Sequence, residues 1–512
     1  MIELKHGPLV RIGFRYAGSE LGGEQAALLK QFLDHIRPEL PFWEYGDVDI
    51  AQRYSEIDHR GEVDLRTRFS RNICINTPIS TAPMAMVTDS RMAISVELYW
   101  GGVGVIHRAM SARDQKRELR LTKRAAHFFK ILDPVMLPLR ATKGEAKKII
   151  DEERIGSIVV VNNLRDKRVE NICTPRDLKG SQPDDTTLGE LLRDKKVITA
   201  RDDILREEAR RIMRDVARVK QLPLVNQHGV LRGLITAQDL DVQDPNEPTK
   251  YAPLAAWDRR RQNLLGVVAL GLDDLEDRAV LLAGERPDAF VLDIAHGGMK
   301  RHLEAIKYLK KKYPDIDVVA SNVHEPDLVE MIARAGADGV RIGIGPGAQC
   351  TTRRNTGVGG SQLTAVLRCA EAAFSYDLPV IADGGIRYGQ DLTQALSAGA
   401  ASVMIGTLFA GTDEAPGEII YDDDNIRYKK HFGMASGEAK RIFQGLKEAG
   451  FVKNAYNLTA ATEGREDLIP ARGPVAKYIN DLLGWLRSEM SYVGARTIAE
   501  LPHRVIFNPR VK

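Results

Sequence analysis

Gly339-Val340-Arg341-Ile342-Gly343-Ile344 runs directly into Gly345-Pro346-Gly347-Ala348-Gln349-Cys350-Thr351-Thr352-Arg353. The first six residues are a short, β-rich apolar run that ends in glycine. Runs of the same kind recur on both sides of it. Upstream lie Val318-Val319-Ala320-Ser321-Asn322-Val323, Phe290-Val291-Leu292-Asp293-Ile294-Ala295 and Leu265-Gly266-Val267-Val268-Ala269-Leu270. Downstream lie Pro379-Val380-Ile381-Ala382-Asp383-Gly384-Gly385 and Ser402-Val403-Met404-Ile405-Gly406-Thr407. Two more stand far upstream, Pro78-Ile79-Ser80-Thr81-Ala82-Pro83 and Gly102-Val103-Gly104-Val105-Ile106-His107.

Helical spacing fills the intervals, as in His302 to Leu309 and in Asp327 to Arg334, the latter closing at Gly336. Continuous apolar strands alternating with helices describe a parallel sheet covered on both faces. Eight such strands is the count of an α/β (β/α)₈ TIM barrel. A doubly wound open sheet is the architecture that periodicity alone leaves beside it.

The stretch between His107 and Leu265 is far too long for one loop. It holds two similar halves, each a helix, a β-rich run and a Thr-x-x-Asp-Leu ending. The first half carries Ile158-Val159-Val160-Val161 and ends at Thr174-Pro175-Arg176-Asp177-Leu178. The second carries Leu222-Pro223-Leu224-Val225 and ends at Thr236-Ala237-Gln238-Asp239-Leu240. A repeat inserted in a barrel loop reads as a separate module, with Asp241 to Thr249 as its return linker. The expected division is therefore an N-terminal extension at 1–41, a first barrel part at 42–125, the insert at 126–245 and a second barrel part at 246–512. No chemistry is evident in residues 1–41, although Gln25 to Ile36 has helical spacing.

Composition narrows the function classes. Lys and Arg total 73 against 70 Asp and Glu, a net charge of +3, which gives no electrostatic reason to expect nucleic acid or a membrane surface as partner. The four cysteines, Cys74, Cys173, Cys350 and Cys369, form no C-x-x-C pair, so zinc and dithiol motifs are unsupported. The first residues lack the apolar core of a signal peptide, and no apolar run reaches membrane-spanning length. A cytoplasmic protein with reduced thiols is the expectation.

Three loops carry chemistry. Cys350 follows the sixth strand, on the rim where barrel enzymes hold their sites. Gly343, Gly345 and Gly347 allow backbone to approach a ligand or ion closely, and hydroxyls and an Arg beside a Cys can make it a thiolate nucleophile. A tight turn that happens to hold a buried Cys is the plainer reading of the same residues. Asp383-Gly384-Gly385 after the seventh strand and Gly406-Thr407 after the eighth occupy the usual phosphate positions of this fold, though glycines can also merely close such turns. Gly433-Met434-Ala435-Ser436 and Thr462-Glu463-Gly464 lie in a connection long enough to be a lid.

Together these residues resemble the IMP dehydrogenase/GMP reductase family, from about Phe42 to Arg510, with the insert at about 126–245 resembling a tandem CBS (Bateman) domain. Within that family, Cys350-Thr351-Thr352-Arg353-Arg354-Asn355-Thr356-Gly357 and Leu292-Asp293-Ile294-Ala295-His296-Gly297 are similar to the reductase, as is Ser491-Tyr492-Val493-Gly494-Ala495. The dehydrogenase uses an Arg-Tyr pair on its flap to activate water, and no such pair stands between Ser436 and Glu463. The resemblance implies an NADPH-dependent GMP reductase that makes IMP and ammonia. Cys350 would be the nucleophile, with Thr352 and Glu463 protonating the departing amine. Asp383, Gly384, Gly385, Gly406 and Thr407 would hold ribose and phosphate. Gly433, Met434, Ala435, Thr462 and Gly464 would meet the rest of the nucleotide.

It also implies that Arg108, Asp293, Ile294 and Ala295 lie at the nicotinamide cofactor. Gly345, Gly347, Cys350 and Arg353 would hold a monovalent cation such as K⁺. Thr174 with Asp177 and Thr236 with Asp239 would bind a regulatory adenine or guanine nucleotide, or else merely cap helices. A homo-oligomer, tetramer or octamer, is the implied assembly. Two alternatives stay beside the reductase: an IMP dehydrogenase working with NAD, and a catalytically weak nucleotide sensor. The second is motivated by departures from the family pattern at Ala348 for Ser, Ala460 for the Arg of animal reductases, and Ala85, where Met84-Ala85-Met86-Val87 stands for Met-Asp-Thr-Val; His431-Phe432 in place of an aromatic pair is a further departure.

Overall fold

Eight parallel strands close on themselves, and they are the eight apolar runs of the sequence. In chain order they are β1 (Ile79–Thr81), β2 (Val103–Ile106), β3 (Val267–Leu270), β4 (Ala289–Leu292), β5 (Asp317–Val323), β6 (Gly339–Ile342), β7 (Val380–Asp383) and β8 (Ser402–Ile405). β8 returns to β1 through Val403 opposite Ile79, which closes the barrel and rules out the open sheet. The computed structural model describes residues 42–125, 131, 134–153, 155–204, 206–237, 255–256, 258, 263–452 and 461–510. The 1–41 extension, the 241–249 linker, Asp239 and Ala460 lie outside these residues.

A helix follows each strand: α1 (Ser90–Trp100), α2 (Ala112–Arg124), α3 (Leu275–Ala283), α4 (Lys300–Lys312), α5 (Pro326–Arg334), α6 (Gln362–Phe374), α7 (Gly389–Ser397) and α8 (Val475–Val493). Each strand feeds two cores because successive side chains point to opposite faces. Val268 and Leu270, Phe290 and Leu292 pack outward under the helices. Val267 and Ala269, Ala289 and Val291 fill the barrel interior. A hairpin of Thr67–Ser70 and Ile73–Ile75 plugs the lower end by adding Phe69, Ile73 and Ile75 to the interior. Ser70 Oγ donates to Asp317 Oδ2 at 2.6 Å, at the start of β5, which places the plug at the N-terminal ends of the strands.

The chain divides into two compact units, one of them Arg124–Lys250 and the other the stretches on either side of it. The inserted unit repeats one topology. In its first half Met136–Pro138, a helix (Lys143–Glu153), Ile158–Val161 and Val169–Cys173 form a sheet whose middle strand pairs parallel with the first and antiparallel with the third. In its second half Ala200–Arg201, Gln221–Val225 and Leu231–Thr236 do the same. Val159, Val161 and Ile172 share a buried cluster with Leu231 and Leu234, so the halves have a common core. Among the described residues no helix is long and apolar enough to cross a membrane.

Candidate active site

At the C-terminal ends of the strands lies a cavity of about 540 Å³. Its floor is a charged network that the strands themselves supply. Arg341, buried in β6, reaches Asp383 Oδ2 with Nε at 3.1 Å and Nη2 at 2.8 Å, and Asp293 Oδ1 with Nη1 at 3.3 Å. Asn322 in β5 donates to the same Asp383 oxygen at 2.7 Å. Burial works against the charge of Arg341, but Asp383 and Asp293 outweigh it and hold its pKa above the usual arginine value. Three donors thus converge on Oδ2 of Asp383, leaving Oδ1 available to a ligand hydroxyl.

Asp293 joins a second arginine. Arg108, just past β2, approaches Asp293 Oδ2 with Nε at 3.3 Å, and its guanidinium lies 4.9 Å from the centroid of the Phe443 ring. A side chain at Gly271 would fall 2.9 Å from this guanidinium, so the glycine there clears its path. Ile294 and Ala295 line the same arm of the cavity.

Cys350 stands exposed on the opposite wall. Its thiol donates to Thr352 Oγ1 at 3.4 Å, and that hydroxyl donates to Glu463 Oε2 at 2.6 Å. Backbone pairing brings these distant segments together. Cys350 bridges antiparallel to Gly464, Thr351 N–H donates to Glu463 O at 2.9 Å and Arg465 N–H to Gln349 O at 3.0 Å. Glu463 N–H in turn donates to Ala435 O at 3.2 Å, so Gly433-Met434-Ala435 packs against the same strip. Gly433, Met434 and Ala435 line the cavity; Gly464 supports it through backbone, and Thr462 offers its carbonyl to Asn355 instead.

At the far end Gly384 and Gly385, with φ of +89° and +83°, turn as only glycine does without strain. A Cβ on Gly384 would sit 3.2 Å from Gly347 N, so this loop and the Cys350 loop touch. Gly406 and Thr407 complete that end, and Thr407 Oγ1 lies 3.2 Å from His431 Nε2. Burial pushes His431 down to about 4, opposed by Asp467 and assisted by Arg472. Two residues that sequence reading missed, Arg387 and Arg472, also line this end, and neither guanidinium forms an ion pair among the described residues. Ala348 lines the cavity as well, so the family's hydroxyl is absent where two cations are present.

The departure at Ala85 has a packing explanation. Ala85 and Ala109 are buried beneath Phe432, Ala439 and Phe443 of the long connection after β8, where a carboxylate would lie in apolar surroundings. That connection is a three-stranded sheet (Ile419–Tyr421, Arg427–Phe432, Glu466–Pro470) with a helix, Gly437–Glu448.

Gly345 and Gly347 present oxygen donors of the kind a hard cation takes, although Gly347 O already accepts from Cys350 N–H at 2.9 Å. Arg353 O accepts from Gly357 N–H at 3.0 Å, and its guanidinium pairs with Glu44.

In the insert, Asp177 Oδ2 accepts from Thr174 N–H at 2.8 Å, Thr174 Oγ1 at 2.7 Å and Lys195 Nζ at 2.6 Å, so this carboxylate is internally engaged. Thr236 instead lines an open cavity of about 580 Å³, together with Ser157, Lys220, Ile131 and Val135. Its partner in the motif, Asp239, is outside the described residues.

Comparison with known proteins identifies the family. The family profile described as "IMP dehydrogenase / GMP reductase domain" matches residues 43–511. The chain is 37% identical over 465 residues to inosine-5'-monophosphate dehydrogenase of Aquifex aeolicus, covering 90% of this chain and 92% of that one. It is also similar to solved structures of GMP reductase from Trypanosoma brucei. One, a cysteine-to-alanine variant in complex with guanosine 5'-monophosphate, superposes with a TM-score of 0.71 at 34% identity, covering 93% of this chain and 97% of that one. Another, in complex with guanosine 5'-triphosphate, gives 0.65 at 31% identity and covers 93% and 100%.

Proposed function

The chain belongs to the IMP dehydrogenase/GMP reductase family of oxidoreductases, and we propose that within it this protein is a GMP reductase, converting GMP to IMP and ammonia with NADPH. The observation that carries this reading is the chain of contacts from Cys350 through Thr352 to Glu463, a route for a proton between nucleophile and carboxylate. No Arg-Tyr pair of the kind that activates water stands between Ser436 and Glu463.

The chemistry follows from that route. The Cys350 proton passes to Thr352 as Thr352 passes its own to Glu463, and the thiolate sulfur bonds to C2 of the purine. The C2–N bond then breaks. The same two groups, run in reverse, return a proton to the departing amine, which leaves as ammonia. NADPH, when bound, supplies the hydride that C2 takes up as the C–S bond breaks and IMP departs. The cavity volume falls in the range of small-molecule sites. Its Arg108–Asp293 arm, part charged and part apolar with Ile294 and Ala295, suits the nicotinamide end of that cofactor.

The remaining residues position. Oδ1 of Asp383 accepts from the ribose hydroxyls. Gly384, Gly385, Gly406 and Thr407 surround the phosphate, with Arg387 and Arg472 supplying the charge that Ala348 does not. Backbone of Gly433, Met434 and Ala435 reads the base. Carbonyls of Gly345, Gly347 and Cys350 hold a K⁺-sized cation. The insert is read as a tandem CBS domain taking a purine nucleotide at the Thr236 cavity, and the whole as a cytoplasmic homo-oligomer.

Purified protein given GMP and NADPH should consume the reduced cofactor in step with ammonia release, and Cys350→Ala should abolish it. Reduction of NAD in the presence of IMP, with no GMP-dependent oxidation of NADPH, would assign the dehydrogenase activity instead.

A further inference from the structure

We propose that Glu44, far outside the motif-bearing loops, is a positioning residue for the catalytic loop, acting on Cys350 and Thr352 through Arg353. The proposal rests on the reading of Cys350 as the nucleophile. Arg353 follows Thr352 in a short helix, Thr352–Thr356, so any displacement of one moves the other. Its stem lies in a slot made by glycines. A Cβ on Gly345 would come within 2.6 Å of Arg353 Cβ, and one on Gly359 within 3.4 Å. Both glycines have positive φ, +90° and +133°, so neither position accepts another side chain without strain. At the mouth of the slot the guanidinium meets the Glu44 carboxylate and also donates to Gly360 O at 3.4 Å.

Glu44 is itself fixed from the other side. Its Oε2 accepts from Gln362 N–H at 2.9 Å, the first residue of α6. Ser361 provides no side-chain cap there, so Glu44 satisfies a free N–H and places negative charge at a helix N-terminus. Trp43 N–H donates to Thr364 Oγ1 at 2.8 Å and Thr364 N–H to Trp43 O at 3.2 Å, docking the Trp43-Glu44 segment on the first turn of α6. The side chain of Gln362 reaches inward to Ile342 O at 2.8 Å and Asp383 O at 3.3 Å. One carboxylate therefore ties both ends of the loop that runs from β6 to α6: Arg353 beside the nucleophile, and the helix that anchors the loop's return.

The pair is partly exposed, with 44% of the Arg353 and 38% of the Glu44 side chain accessible. Ion pairs this exposed contribute little to stability. What removal of the charge should change is where Thr352 sits, hence the proton path from Cys350. Glu44→Gln should lower kcat at least tenfold while GMP affinity stays within twofold and the melting temperature barely moves. The rate of Cys350 alkylation by iodoacetamide at neutral pH should fall, as the thiol loses its path to Glu463.

Arg353→Gln should reproduce these effects, and the exchange Glu44→Arg with Arg353→Glu should recover part of kcat. Should Glu44→Gln fail to fold, Arg353→Gln breaks the same pair from the other side. Unchanged kcat and an unchanged alkylation rate in a folded variant would overturn the proposal. Alkylation and nucleotide binding need no turnover, so they test Glu44 even if the protein proves not to oxidise NADPH with GMP; normal GMP turnover that is insensitive to Glu44→Gln would reject Glu44 alone.

Discussion

Thr352 Oγ1 donates to Glu463 Oε2 across 2.6 Å, although the two residues stand 111 positions apart in the chain. Only the antiparallel pairing of Cys350 with Gly464 makes that contact possible. A hydroxyl between a thiol and a carboxylate serves as a proton carrier in both directions, and the carboxylate is its terminus. Glu463→Gln keeps the size and removes the basic end. It should lower kcat by about 10²- to 10⁴-fold, the usual contribution of a positioned acid–base group. GMP affinity, measured by calorimetry, should change little, because the role assigned to Glu463 is to move a proton and not to hold the nucleotide. Full activity in Glu463→Gln would remove the relay from the mechanism.

At the phosphate end the expected losses are in binding. Arg472 and Arg387 line the cavity beside Thr407 and Gly385 with no ion pair among the described residues. A guanidinium that loses a charge-assisted hydrogen bond to a phosphate costs roughly 1.5–3 kcal/mol. Arg472→Ala should therefore raise KM for GMP by roughly 10- to 100-fold with a smaller effect on kcat. The preference for GMP over guanosine should narrow by the same factor. An unchanged nucleotide-over-nucleoside preference would place Arg472 outside the phosphate site.

Much of the fold was legible because barrel strands are buried on both faces and so read as unbroken apolar runs. The same property hid which residues face which way: Val267 and Val268 are chemically alike, yet one fills the barrel and the other packs under helices. The plugging hairpin was missed because its strands are only four and three residues long, Arg68 breaks the apolar pattern of the first, and Arg71-Asn72 form the turn between them. In the site, residues announced by glycine were found, since Gly384 and Gly385 mark a backbone requirement that is local in sequence. Arg341 and Asn322 were not, for their role is to meet Asp383 from neighbouring strands, and cross-strand pairing leaves no mark on one strand. Arg472 and Glu44 were invisible for a related reason, each being a lone charge in an otherwise apolar stretch whose partners are remote in the chain.

The two halves of the insert should behave differently toward nucleotides. Asp177 is held by Lys195 and Thr174, whereas Thr236 borders an open cavity. Equilibrium dialysis with ATP or GTP in the presence of saturating IMP, which occupies the barrel, should give one bound regulatory nucleotide per chain. Lys195→Ala frees Asp177 and should raise that number toward two. A stoichiometry of two in the unaltered protein would show that the Lys195 contact yields to ligand.

Stability should fall in acid through two buried imidazoles. Burial pushes both His107 and His431 down to about 4 from 6.5; Asp293 and Asp467 oppose the shift, while Arg278 and Arg472 add to it. Above pH 6.5 folded and unfolded chains both carry neutral imidazole at these positions, and pH has no effect through them. Between pH 6.5 and 4 the unfolded chain takes up protons that the folded chain refuses, so folding weakens steadily as pH falls. Each imidazole accounts for roughly 3 kcal/mol across that window at 1.36 kcal/mol per pKa unit. His431→Asn retains a polar group toward Thr407 and removes the titration. Its melting temperature should be lower than that of the unaltered protein at pH 7.5 but should decline less between pH 6.5 and 4.5. Parallel declines for the two proteins in thermal melts would mean that His431 is already protonated in the folded state.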